Sequence, residues 1–152
     1  MVEAIEALAA EVRALADRRA VADVVLAYAR GVDRRDWAAV RSCFEEDAVV
    51  EGTVHQAPLD PYLRSLVEGV EHFPATMHFM GNQLVEVDGD TAEVETYAVA
   101  FHWMGDPPGA PHDGNLVVGV RYLDTLIRSA EGWRIRRRRV SSEWRRGPYP
   151  PS

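Results

Sequence analysis

The stretch Tyr28-Ala-Arg-Gly-Val-Asp-Arg-Arg-Asp-Trp37 closes one amphipathic helix and opens another, with a carboxylate, Asp33, at the junction beside two aromatic rings. Upstream, Val21, Val24, Val25, Tyr28 and Val32 recur at helical spacing, which predicts an apolar face packed on something large. Asp33 falls one position past that stripe. A carboxylate there is poorly solvated, which raises its pKa and suits it to proton transfer if a partner fixes its geometry. The competing reading is a helix-terminal cap or turn residue.

Toward the N-terminus, Ile5, Leu8, Val12 and Leu15 continue the three- and four-residue steps, so residues 1–34 read as one long helix or as two broken or capped at Asp17. Toward the C-terminus, Asp36 stands as a cap before Trp37, Val40 and Phe44, a short second helix. Ala48–Gly52 reads as a short strand, and Pro58–Val70 as a third helix with Tyr62, Leu63, Leu66, Val67 and Val70 on one side. After residue 75 the period changes. Met77–Val87, Thr91–Met104, Leu116–Ile127 and Trp133–Trp144 are strand-like runs rich in Val, Thr, Tyr, Phe and Trp. They are separated by the turn Asp88-Gly-Asp90, a Pro- and Gly-rich loop over 105–114, and the turn Ser129–Gly132. Helices followed by an antiparallel meander predict an α+β fold, with three helices on one face of a strongly curved, mostly antiparallel sheet. A single domain over 1–146 and a loose tail over 147–152 complete the expected organisation.

The 152 residues suffice for one domain with a sizeable core. A formal net charge of −7 argues against nucleic acid as a partner, and the basic run Arg134–Arg139 lies in a strand, where alternate residues face opposite sides. All 17 basic residues are Arg, which excludes Lys Schiff-base or general-base chemistry. Cys43 is the only cysteine, so an internal disulfide and a CxxC redox or metal site are both excluded. With neither the apolar core of a signal peptide nor a membrane-length apolar run, the expectation is a cytoplasmic protein that does not enter membranes. No His or carboxylate spacing suits a metal, and there is no phosphate-binding Gly loop or Gly-x-Ser-x-Gly elbow, so no metal and no cofactor are expected.

Of five histidines, His78 sits near the start of the first long strand, sharing a face with Thr76 and Met80. It is either a satisfied structural residue or a proton-transfer group. Thr96, Ala98, Ala100 and His102 share one face of the next strand, where small residues leave the room that a cavity wall needs. On the opposite face Tyr97, Val99, Phe101 and Trp103 form an apolar patch of the kind that marks an interface, predicting a homo-oligomer. His55, His72 and His112 fall in expected loops or helix ends.

The order of these elements resembles the SnoaL-like branch of the nuclear-transport-factor-2-like superfamily. The resemblance is carried by the Tyr28-x4-Asp33 spacing, Arg35-Asp-Trp37, Met77-His-x-x-Gly-Asn82, Gly89-Asp-Thr-Ala92, Gly119-x-Arg-Tyr-x-Asp124 and Gly132-Trp-Arg-Ile135. It implies a cone-shaped α+β barrel. The pattern is similar to bile acid 7-alpha-dehydratase, scytalone dehydratase and hexachlorocyclohexane dehydrochlorinase, small cofactor-free lyases in which an Asp at the end of the first helix and a sheet His form a catalytic dyad. Carried over, Asp33 and His78 take those roles and Tyr28 matches the dehydratase tyrosine. The resemblance also implies a small hydrophobic polyketide-, steroid- or aromatic-like substrate, contacts from His102, Thr96, Trp37 and Arg138, and a trimer ahead of a dimer. The catalytic Arg of the bile-acid enzyme has no counterpart, since the matching position is Ser142; Arg138 and Arg139 are the nearest candidates. The fold also hosts non-catalytic binding modules, cyclases and epoxide hydrolases, which stay open as alternatives.

Overall fold

Apolar periodicity of 3.6 up to residue 71 and of 2 from residue 75 produces two layers in the computed structural model, which describes residues 1–52 and 56–149. The helical layer comprises α1 (Val2–Arg34), α2 (Trp37–Ser42) and α3 (Leu59–Glu71). The sheet comprises β1 (Phe44–Glu51), β2 (Gln56–Pro58), β3 (Ala75–Asp88), β4 (Thr91–Trp103), β5 (Leu116–Ser129) and β6 (Gly132–Arg146). Their order across the sheet is β2-β1-β6-β5-β4-β3, antiparallel throughout except for the parallel β1–β6 pair. Register shifts in β3 between Met80 and Gln83, and along β5 at Gly119/Val120 and Thr125/Leu126, bend the strands around the helices. The result is a curved α+β architecture with the helices on one face of the sheet, as expected.

The α1 helix runs unbroken for 33 residues, and Asp17 neither caps nor interrupts it. Its buried residues are confined to the second half, where Val21, Val25, Tyr28 and Val32 face the sheet. Its end is a Schellman motif: the Asp36 N–H donates to the Gly31 carbonyl (2.9 Å) and the Arg35 N–H to that of Val32 (3.1 Å). Arg35, at φ 54°, occupies the left-handed position usually given to glycine. Gly31 is needed for contact, since a Cβ there would meet Val40 of α2 at 2.8 Å. Asp36 caps α2 as expected, accepting from the Ala39 N–H at 3.0 Å.

One local expectation fails, and one strand was not foreseen. Phe44 belongs to β1 rather than to the second helix: α2 ends at Ser42, and Phe44 pairs with Ile135 on β6 while burying its ring in the core. The three-residue β2, which pairs with β1 just before α3, is too short to show a period. His55 and Pro150–Ser152 lie outside the described residues. Among those described, Gly147–Tyr149 follow β6, and the Arg145 guanidinium carbon lies 4.6 Å from the Tyr149 ring centroid. No helix among the described residues is long and apolar enough to cross a membrane.

Candidate active site

Helix α1 and strand β3 meet at Asp33. Its Oδ1 lies 2.8 Å from His78 Nδ1 and accepts from the Thr76 hydroxyl at 3.1 Å, while Oδ2 accepts the His78 backbone N–H at 2.8 Å. Thr76 and His78 alternate onto one face of β3, so a single carboxylate grips that strand at two successive inward positions. Arg35 ties the same corner, donating to the carbonyls of Asp33 (3.0 Å) and Phe73 (2.9 Å) and to Thr76 Oγ1 (3.1 Å). Burial pushes the Asp33 pKa up, as the sequence suggested, but the hydrogen bonds from the His78 ring and backbone and from Thr76 outweigh it, and the net direction is down. Asp33 is therefore a fixed anion. Since an ionised carboxylate only accepts, Nδ1 of His78 carries the proton and Nε2 is left to exchange one.

His78, with its side chain 6% exposed, lines a cavity of about 370 Å³ that lies between α1, α3 and the sheet. The cavity wall is mostly apolar, with Phe73, Leu116, Val118 and Val120 prominent, and its polar groups, Ser65, Tyr122 and Tyr149 apart, form two pairs. One is the imidazole pair: the His78 and His102 rings are 6.0 Å apart, and His102 Nδ1 donates to the Leu116 carbonyl at 3.3 Å. Burial, reinforced by the His78 charge, pulls the His102 pKa down from 6.5 to about 4, so His102 is neutral at physiological pH. The other is a tyrosine pair, Tyr28 on α1 and Tyr62 on α3, with hydroxyls 2.9 Å apart. Burial raises both pKa values, that of Tyr62 strongly, which keeps both phenols protonated as donors.

The tyrosines rest on a buried cation. Arg138 is fully enclosed, makes a two-pronged bond to Asp124 (2.7 Å twice), and lies 4.1 Å from the Tyr28 ring centroid and 4.5 Å from that of Tyr122. Burial opposes its charge, but the Asp124 carboxylate prevails and the Arg138 pKa is raised. Arg138 faces inward because β6 slips by one residue at Arg136, which is skipped between the pairs Leu126–Ile135 and Thr125–Arg137. Without that bulge, alternation from Trp133 and Ile135 would turn Arg137 inward instead.

The structure thus brings Asp33, His78, Tyr28 and His102 together, and it separates three other expected residues from the cavity. Thr96 is fully buried and accepts from Gln83 Nε2 at 3.2 Å, filling a position behind the wall. The Trp37 indole N–H donates to Glu71 Oε1 at 3.2 Å on the outer surface, linking α2 to the end of α3. Arg138 lies beneath the wall and supports Tyr28. His72 caps α3 and packs on Phe73, and His112 accepts from the Gly114 N–H. Sequence reasoning read Tyr62 only as part of an apolar stripe and gave no role to Thr76, Arg35 or Asp124. The signal for Asp124 was a lone carboxylate in phase with the apolar positions Leu116, Val118, Val120, Tyr122 and Leu126 of its strand. Tyr62 gave none, because its partner is 34 residues away.

The helix-covered, curved six-stranded sheet is the nuclear-transport-factor-2-like fold. The chain belongs to the SnoaL-like domain family, which matches residues 13–139. It is 30% identical to the uncharacterized protein Rv2910c of Mycobacterium tuberculosis (strain ATCC 25618 / H37Rv), over 82% of this chain and 84% of the relative. It is 28% identical to terrestric acid biosynthesis cluster protein E of Penicillium crustosum, over 90% and 89%. Among solved structures, a candidate scytalone dehydratase from Novosphingobium aromaticivorans superposes with a TM-score of 0.76 at 22% identity, covering 91% of each chain. The type 3 hexachlorocyclohexane dehydrochlorinase of Novosphingobium barchaimii gives 0.74 at 17%, covering 93% of this chain and 99% of the other.

Proposed function

We propose that the cavity is the active site of a cofactor-independent lyase of the dehydratase type, acting on a small hydrophobic molecule with an oxygen substituent near an acidic C–H. One observation carries this reading: the Asp33 carboxylate binds both the ring and the backbone of His78, which fixes one tautomer and leaves Nε2 as a positioned base. Nε2 takes the proton from the carbon next to a carbonyl while Tyr28, backed by Tyr62, donates to the oxygen on which charge grows. The C–H electrons form the new double bond and the C–O bond breaks. The hydroxyl departs as water with the proton held on His78. Isomerisation is the same first step with the proton returned at another carbon. The family, the biosynthetic-cluster relative and the lyase-type structural neighbours support this reading. The cavity volume lies at the small end of the range usual for ligand sites.

The test is proton NMR in D2O with a panel of small β-hydroxy ketones and phenolic ketones. The parent protein is expected to exchange the α-proton and release water, and His78→Ala to do so roughly 10²–10⁴-fold more slowly. Equal binding by parent and variant with no exchange on any compound would replace the enzyme with a non-catalytic binding module.

A further inference from the structure

Helix α3 carries a glycine that its backbone does not ask for. Gly69 lies inside the helix, where glycine is less stable than alanine because it has more conformational freedom to lose. It is not among the glycines with a left-handed backbone. Nor does a close approach require it: among the described residues, no atom lies within 4 Å of where its Cβ would stand. Gly31 is the contrast, since Val40 would meet a Cβ there at 2.8 Å. What Gly69 has is a place on the cavity wall. At roughly 100° per residue it falls about 20° from Tyr62 and about 60° from Leu66 around the helix, and both of those residues line the cavity. A side chain at 69 would continue their row.

Exposure shows which way this gap opens. Tyr28 and Tyr122 line the cavity and are buried, whereas Ser65, Gly69 and Tyr149 line it and are exposed, so these three mark its mouth. Ser65 lies one turn before Gly69, which brings the smallest side chains of the α3 wall together at the rim. Leu66 and the Tyr149 ring make that rim largely apolar. The cavity itself, at about 370 Å³, is near the lower end of ligand-site volumes, so a long chain has to leave it. We propose that Gly69 is the portal of the cavity and its specificity-determining position, passing substrates whose reacting end reaches His78 and whose unbranched apolar chain runs out past α3. The portal serves the substrate site proposed above, and the chain is the feature it adds to that substrate. Among the described residues, the helix stability forgone at 69 has no counterpart other than this opening.

Titration calorimetry on the full chain with para-hydroxyphenyl alkyl ketones, from methyl to octyl, tests this without need of turnover. For the parent protein, affinity is expected to rise by roughly two- to fourfold per methylene until the chain reaches bulk water. Gly69→Leu should cut the ratio of octyl to methyl affinity roughly tenfold or more, and Gly69→Ala should cut it less. Thermal unfolding gives the second readout: Gly69→Ala is expected to raise the midpoint by about 1–4 °C, since it restores helix propensity without a clash. An octyl-to-methyl ratio that Gly69→Leu leaves unchanged overturns the proposal. So does a midpoint lowered by Gly69→Ala, which would mean that the backbone needs glycine. A parent protein that binds no member of the series sinks the substrate site and the portal together, whereas chain-length dependence without proton exchange removes the lyase and leaves the portal standing.

Discussion

Asp33 accepts three hydrogen bonds, and a carboxylate so engaged is a poor base but a good orienter. Asp33→Asn keeps the shape yet offers an N–H where Nδ1–H must donate, so it favours the wrong tautomer. We expect it to lower turnover by roughly 10²–10⁴-fold with little change in unfolding midpoint, and Tyr28→Phe to cost less because Tyr62 remains to donate. A wild-type rate for Asp33→Asn in the NMR assay would remove the dyad from the mechanism. His102 gives a second prediction, read on stability. Its native pKa lies below its ordinary value, so between pH 6.5 and about 4 the unfolded chain binds a proton that the native chain does not. Stability must therefore fall on acidification across that window, by up to about 3 kcal/mol, and His102→Gln should flatten the dependence. Asp33, whose pKa is depressed, adds loss in the same direction only at lower pH, as the native carboxylate protonates. Urea unfolding of both proteins at about pH 7 and about pH 5 checks the His102 contribution. Parallel slopes would mean that His102 is charged in the native cavity.

At the scale of elements, β5 and β6 hold the cavity floor through Asp124 and Arg138, both fully buried. Removing one partner leaves an uncompensated charge under the Tyr28 and Tyr122 rings, so Asp124→Asn should cost about 3–5 kcal/mol, whereas Asp124→Leu combined with Arg138→Met should recover most of it. A single variant as stable as the parent would mean that Arg138 finds another partner or water. The same pair shows where reading the chain in advance stops. Long periodic runs declare themselves: α1, α3 and β3 to β6 were legible because each carries enough repeats to fix period and face. The Arg134–Arg139 run did not declare which arginine turns inward, since that depends on a one-residue slip at Arg136 set by pairing with a strand already in place. Phe44 was misread because an aromatic residue at helical spacing continues an apolar stripe as well in a helix as at the start of a strand. The Asp33–His78 pairing, 45 residues apart, followed from family resemblance and not from spacing.

For the whole molecule, the helices cover only the concave side of the sheet. On the convex side Phe79, Tyr97 and Trp144 are 61%, 42% and 51% exposed around a shallow hollow, and Phe101 and Trp103 stack at 5.5 Å beside them. Gly119 leaves the space in which Trp144 lies, since a Cβ there would meet the indole at 2.2 Å. An apolar surface of this kind is costly to leave wet, so we expect the chain to self-associate through this face, with a trimer ahead of a dimer. Phe79→Arg places a charge in the centre of the convex patch and should lower the mass measured by light scattering at micromolar concentration. A monomeric mass for the unmodified chain would overturn the expectation of self-association, and a mass unchanged by Phe79→Arg would move the contact to another surface.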